Sequence, residues 1–288
     1  MQRSVLAVHD LSCVGRCSLT VALPILSAAG INTAVIPTTL LSTHTGEFVD
    51  YTRLDLSHQL LPIAQHLAKQ NLHFDALYSG YLASSDQVQK ILQIIDLLAD
   101  PSTLLLVDPA FADYGKMYTS LDDSHPNEMR RLCARAHTIV PNLTEAAFLL
   151  GDVYPGNHVS PAYVGELAKG LSALGPKNVI ITGISFEQSR TGIAVYQNGM
   201  EEPVYNFTHR CKGTFHGTGD VYASFLLAAL LSGKPFIAAA ALAMELTYDS
   251  IRLTLAEGQP LRFGVQFERV LPKLLASLDL LNPIECGN

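Results

Sequence analysis

Gly217-Thr218-Gly219-Asp220 runs directly into an apolar stretch at residues 221–231, which closes at Ser232-Gly233 with Pro235 just beyond. Two glycines let the backbone turn tightly and come close to a ligand. The apolar stretch has the length of a helix, and Ser-Gly followed by Pro is a helix stop. A glycine turn that opens a buried helix aims several backbone N–H groups at one point, and the helix dipole adds positive potential there. Those are the requirements of a phosphate site. A carboxylate beside such a site repels a resident anion. Asp220 makes sense there if the anion is a phosphoryl group in transit and the carboxylate holds the attacking hydroxyl. The plainer alternative is a turn with Asp220 as a helix N-cap.

Around this segment, short apolar runs recur at residues 5–8, 34–36, 76–78, 104–107, 138–140 and 179–181. They do not alternate with polar residues, which marks strands buried on both faces of a parallel sheet. Helical patterns fall between them at 19–29, 60–69, 86–99, 127–136 and 162–174. The alternation predicts an α/β fold with right-handed crossovers. Residues 192–207 break the pattern: Ile193, Val195 and Tyr196, an Asn198-Gly199 turn, then Val204, Tyr205 and Phe207 predict a hairpin. The polar segment 43–52 reads as a small flap after the second strand.

The 288 residues are 48% apolar and 16% charged, enough for a large core. No internal repeat or Pro/Gly/Ser-rich linker divides the chain, so residues 1–288 are expected to form a single domain. A net charge of −7 with no Lys/Arg cluster argues against nucleic acid as a partner. The five cysteines follow no disulfide spacing, and the start has no leader pattern; with no apolar run of bilayer length, the expectation is a soluble cytoplasmic protein with reduced thiols. His9, Cys13 and Cys17 are spaced four apart, but no second pair stands at zinc spacing. Cys13 and Cys17 are expected to pack under a turn at Gly15. P-loop, dinucleotide and nucleophile-elbow motifs are absent.

Several strand candidates end in polar or glycine residues, where open α/β sheets bind ligands: His9-Asp10, Ser79-Gly80-Tyr81, Asp108-Pro109, Pro141-Asn142 and Thr182-Gly183. Asp108 and Asp113 could hold Mg²⁺ directly or through waters, or be ordinary turn residues. Asn142 and Glu145 fit a helix capping box, and Glu145 also fits a role in ordering waters around a metal. Thr182 and Gly183 suit the edge of a nucleotide pocket, or simply a turn.

Taken together, these residues resemble the ribokinase-like superfamily and, within it, the pyridoxal kinase family, over nearly the whole chain. Gly217-Thr218-Gly219-Asp220 and Asn142-x-x-Glu145 are similar to the superfamily's motifs. Ser42-Thr43-His44-Thr45-Gly46 and Ser79-Gly80-Tyr81-Leu82 narrow the resemblance to vitamin B6. It implies a three-layer α/β/α sandwich with a mostly parallel central sheet and a small flap over the substrate site. It implies ATP-dependent phosphorylation of the 5′-hydroxymethyl group of pyridoxal, pyridoxine or pyridoxamine, with Mg²⁺, by a homodimer. Asp220 would be the base, with Gly217 and Gly219 supplying N–H groups to the γ-phosphoryl and Thr218 beside them. Asp108, Asp113 and Glu145 would organise Mg²⁺ and the triphosphate. Asn142, Thr182 and Gly183 would line the nucleotide side, covered by the segment from His209 to Phe215. Thr45 and Tyr81 would contact the pyridine ring. The family generally has Ser at the end of its first strand, where this chain has Asp10 with Ser12 nearby. Asp10 and His216 are similar instead to hydroxymethylpyrimidine kinases of thiamine synthesis, which commonly carry Cys at the position of Asp220. That enzyme and a non-catalytic B6-binding sensor are the alternatives. The sequence does not decide whether a monovalent cation such as K⁺ is used.

Overall fold

The computed structural model describes residues 2–119, 121–156 and 158–281; Cys286 lies outside them. The chain alternates strands and helices in its first half: β1 (Ser4–Ser12), α1 (Leu19–Ala28), β2 (Asn32–Leu41), β3 (Arg53–Asp55), α2 (Ser57–Lys69), β4 (Ala76–Ser79), α3 (Ser85–Leu98) and β5 (Leu104–Val107). A two-stranded excursion, β6 (Ala112–Asp113) and β7 (Lys116–Met117), precedes α4 (His125–Arg135), β8 (Thr138–Ile139), α5 (Leu143–Leu150) and α6 (Pro161–Ala173). Then come β9 (Asn178–Ile184), the hairpin β10 (Arg190–Gln197) and β11 (Val204–His209), and finally α7 (Thr218–Leu231), α8 (Phe236–Ala256) and α9 (Leu271–Ser277).

Nine strands form one sheet in the order β11-β10-β9-β8-β5-β4-β1-β2-β3. The six inner strands, β9 to β2, pair in parallel; β3, β10 and β11 are antiparallel at the two edges. The side-chain period of two divides each buried strand between two cores. Leu6, Val8, Leu77, Leu105, Val107, Ile139, Val179 and Ile181 join the core under α2–α6. Val5, Ala76, Tyr78, Leu106, Val140 and Ile180 join the one under α1, α7, α8 and α9. This double burial is why the runs read as continuous rather than alternating, and it yields three layers.

Two extensions exceed the sequence expectation. β2 continues through Pro37, and the register with β1 slips there, from His9↔Pro37 to Leu11↔Leu40. Pro37 has no N–H to give the ladder, so a bulge at that point costs little. The hairpin forms as expected, though residues 198–203 connect its strands rather than two turn residues alone. α8, at 21 residues the longest helix described, has no counterpart in the expected helices. None of the described helices is long and apolar enough to cross a membrane.

Candidate active site

The C-terminal ends of the parallel strands set the candidate residues in one row. Thr182 stands on β9, Asn142 follows β8, Asp108 follows β5, Tyr81 follows β4, Asp10 lies on β1, and the flap follows β2. The chain leaves β1 toward β2 on one side and returns to β4 on the other, so a crevice opens between β1 and β4. Asp10 and Tyr81 flank it.

α7 points its N-terminus at the middle of this row. Gly217 has φ 71 and ψ 4, and no side chain caps the helix. A Cβ on Gly217 would stand 2.0 Å from the Arg16 carbonyl oxygen, so glycine is required for both the left-handed turn and the close approach. The N–H groups of residues 217–220 precede the first helical carbonyls and remain available to an anion. Thr218 turns its hydroxyl away, donating to the Phe215 carbonyl at 3.1 Å. A Cβ on Gly219 would face Asp108 Oδ2 at 3.4 Å, which sets the Asp108 carboxylate opposite the helix mouth.

Asp220 is the third residue of α7, in its first turn, deep but not sealed. Its pKa is pushed up to about 7, first by burial and then by the charge of Asp10, against a hydrogen bond from the Ser18 backbone N–H. Asp10 is buried and pushed up to about 6 by its loss of solvent, against hydroxyl bonds from Ser18 (2.5 Å) and Ser12 (3.4 Å). Cys17 lies against the glycine turn at Gly217, not under the one at Gly15, its Sγ 3.2 Å from a Cβ placed on Gly217. Cys13 is exposed, and the side chain packed against Gly15 is His44, so the expected thiol packing under that turn does not form.

Asp108 is buried, and its carboxyl is pushed well up by burial and then by Glu145 and Asp220. Glu145 is a clamp. Its Oε1 accepts from the Phe111 and Ala112 N–H groups at 2.9 and 3.3 Å, and its Oε2 from Asn142 N–H at 2.8 Å. Asn142 Oδ1 accepts from Glu145 N–H at 2.9 Å, which completes the capping box of α5, and Asn142 Nδ2 donates to the Ala112 carbonyl at 2.7 Å. Burial still lifts Glu145 to about 7. The pair therefore fixes the loop that carries Asp108 onto α5. Asp113 is exposed on the β6–β7 excursion, accepting from Tyr114 N–H at 2.9 Å. Among the described residues no three His, Cys, Asp or Glu side chains converge tightly enough to cage a metal. Asp108, buried beside two further carboxylates, would suit a cation that takes few protein ligands. Tyr118, absent from the sequence-based site, lies within the field of Asp108, Asp113, Glu145 and Asp220, with its ring 6.2 Å from that of Tyr81.

On the β9 side, a cleft of about 240 Å³ is bounded by Asp113, Asn142, Thr182, Gly183, His209 and Phe215. Thr182 N–H donates to the Pro141 carbonyl at 2.9 Å, which sets Asn142 and Thr182 side by side. The far wall is α8, through Met244, Thr247, Tyr248 and Ile251. On the β2 side the flap lies closed over His216. Glu47 meets His216 Nε2 at 3.3 Å, and Phe48 packs against Phe263 and under Arg262. His44 Nδ1 accepts from Gly46 N–H at 3.1 Å, so its Nε2 carries the proton given to the Arg262 carbonyl at 2.5 Å. Thr45 is exposed at the rim, and Tyr81 is half-buried.

The family profile of phosphomethylpyrimidine kinases matches residues 23–263. A phosphomethylpyrimidine kinase-like protein of Bacteroides thetaiotaomicron, solved with pyridoxal, is 33% identical, with a TM-score of 0.89 over 99% of this chain and 98% of its own. Pyridoxal kinase from Lactobacillus plantarum is 30% identical, with a TM-score of 0.89 over 98% of this chain and 100% of its own. A pyridoxal kinase-like protein of Schizosaccharomyces pombe is 27% identical over 67% of this chain; the match spans 58% of that relative's length. The layered sheet, the glycine turn before α7 and these likenesses agree: the chain belongs to the phosphomethylpyrimidine kinase family and shares the ribokinase-like fold of pyridoxal kinases.

Proposed function

We propose that this protein transfers the γ-phosphoryl group of ATP to the 5′-hydroxymethyl group of pyridoxal, pyridoxine or pyridoxamine. The observation that carries this reading is the row of strand ends. Nucleotide-type residues (Asn142, Thr182, Gly183) lie at the β8–β9 end, Asp108 in the middle, and Asp10, Tyr81 and the flap at the β1–β2 end. The mouth of α7 faces the centre, where a phosphoryl group crosses from one side to the other. N–H groups of residues 217–219 would bind its oxygens as charge spreads over them. Asp220 would accept the proton of the acceptor hydroxyl, and a pKa of about 7 suits that task near neutral pH. Asp10, Ser12, Thr45 and Tyr81 would hold the ring. Asp108, with Asp113 and Glu145 acting through waters, would hold Mg²⁺, which neutralises phosphate charge when bound. Free thiols at Cys13, Cys17, Cys133 and Cys211 support a cytoplasmic, reducing setting, and a homodimer is the expected assembly.

The test is ADP release with ATP and Mg²⁺ across the three B6 vitamers and hydroxymethylpyrimidine in parallel. Turnover confined to hydroxymethylpyrimidine would shift the acceptor to the thiamine precursor, in keeping with Asp10. Saturable vitamer binding with no ADP would indicate a sensor. Asp220→Asn should keep ATP binding and lower turnover by about two orders of magnitude; unchanged turnover removes Asp220 from the mechanism.

A further inference from the structure

Ser18 occupies the N-cap position of α1, yet its hydroxyl does not cap that helix. Serine there ordinarily accepts a bond from an N–H in the first turn. Here the Ser18 carbonyl takes the first helical N–H groups, from Val21 at 3.0 Å and Ala22 at 2.9 Å. The freed hydroxyl donates to Asp10 Oδ1 at 2.5 Å, and the backbone N–H faces Asp220, whose ionised form it favours. One buried residue thus holds the ring-side carboxylate with its side chain and turns its main-chain N–H toward Asp220. It does so at φ 54 and ψ −124, a conformation that suits glycine and that L-residues rarely adopt. A chain selected for folding alone would place glycine there. A serine held in that conformation points to work for its hydroxyl.

We propose that Ser18 is a positioning residue that ties the ring-binding carboxylate Asp10 to the base Asp220, so that the acceptor's ring and its hydroxyl are set relative to one another. This rests on the proposed phosphoryl transfer. Ser18 touches neither substrate in this role. It acts through Asp10, which is held from the other side by Ser12, and through Asp220, which stays anchored by α7. Loss of the hydroxyl leaves the Asp10 carboxylate free to rotate and the ring out of line with Asp220, while the nucleotide cleft on the β9 side is untouched.

The experiment compares Ser18→Gly, Ser18→Ala and Asp10→Asn, singly and with Ser18→Ala combined with Asp10→Asn, by steady-state kinetics and thermal unfolding. Ser18→Gly relieves the backbone and should unfold at the same temperature as the parent or higher. Its kcat with the vitamer should nevertheless fall about ten- to a hundred-fold, the scale of a reactant misplaced by an ångström. The KM for ATP should stay within about twofold, since the nucleotide side is unaltered. Ser18→Ala added to Asp10→Asn should cost nothing beyond Asp10→Asn alone, because the two act as one unit. Parent-like kcat in Ser18→Gly overturns the proposal, as does a loss in Ser18→Ala that adds fully to that of Asp10→Asn. If the parent enzyme uses hydroxymethylpyrimidine instead, the same comparison is made on that acceptor, so the ring assignment and the Ser18 linkage fail separately. A parent that releases no ADP with any acceptor overturns both.

Discussion

The two glycines at the mouth of α7 should respond oppositely to the same small change. At Gly217 an added Cβ would stand 2.0 Å from the Arg16 carbonyl oxygen and 3.2 Å from Cys17 Sγ, in a backbone with φ 71. The left-handed conformation costs an L-residue about 1–2 kcal/mol. The overlap adds about 1–3 kcal/mol, the usual range for overpacking. Arg16 cannot simply retreat: its N–H donates to the Phe263 carbonyl at 3.0 Å, and its Nε is paired with Glu268 at 2.6 Å. Gly217→Ala should therefore lose about 2–5 kcal/mol, which at about 2–4 °C per kcal/mol lowers the midpoint by roughly 4–20 °C. Its turnover should fall as well, because the N–H groups move with the helix start. Gly219 is different. Its added Cβ meets only Asp108 Oδ2, at 3.4 Å, and lies in the first turn of a helix. Alanine there should leave stability unchanged or raise it by up to about 1 kcal/mol of helix propensity. Yet that Cβ would occupy the gap between helix mouth and Asp108, so turnover should drop at least about tenfold. Calorimetry and ADP release on the two variants decide the matter. A Gly217→Ala protein as stable as the parent, or a Gly219→Ala enzyme at full rate, would refute this account of the turn.

Because Asp220 must be ionised to accept a proton and its pKa stands near 7, kcat/KM for the acceptor should fall with acid below about pH 7; Asp10→Asn, by removing a neighbouring charge that raises it, should move that limb to lower pH. A flat profile between pH 5 and 8 would contradict it. Glu47→Gln weakens the flap's contact with His216 and should raise the acceptor KM a few-fold, by less than about 1 kcal/mol, with the ATP KM unchanged in initial-rate assays. Ionising Asp220 in the fold costs stability above its folded pKa of about 7, and nothing below its unfolded value near 4. Asp220→Asn should thus stabilise the ligand-free protein by about 1–3 kcal/mol at pH 8 and hardly at all at pH 4, read by thermal unfolding at both values.

The inner sheet was legible because residues such as Val5, Leu6, Leu77, Leu106 and Ile180 are apolar on both faces, and only parallel strands under two helical layers need that. α7 was legible through its glycines. α8 was not, since its even apolar character gives little contrast between faces; its run of alanines was the available signal, and it would have supplied the wall formed by Met244 and Tyr248. The flap's contacts were hidden for another reason. Glu47, His44 and Phe48 meet His216, Arg262 and Phe263, more than 160 residues away, and no local pattern encodes such pairings. Glu145 was legible as a capping-box residue, but that its oxygens also clamp the loop after β5 is a matter of backbone geometry: three N–H groups claim them.

The charges of the site also bear on catalysis against mere binding. Asp10, Asp108, Glu145 and Asp220 stand together with their pKa values held up by burial, and no lysine or arginine is paired with any of them among the described residues. A protein that only stored a vitamin would gain by exchanging Asp108 and Asp220 for neutral residues, since each buried carboxylate opposes folding at neutral pH. A triphosphate brought to the same place adds further negative charge. Under the proposed transfer, a divalent cation held by Asp108 would offset this charge, and the α7 N–H groups would face the oxygens that gain charge. Asp220 feels the charge of Asp10 and does not line the cleft on the β9 side, so under the proposed transfer its charge would serve to take a proton from the acceptor rather than to hold ATP.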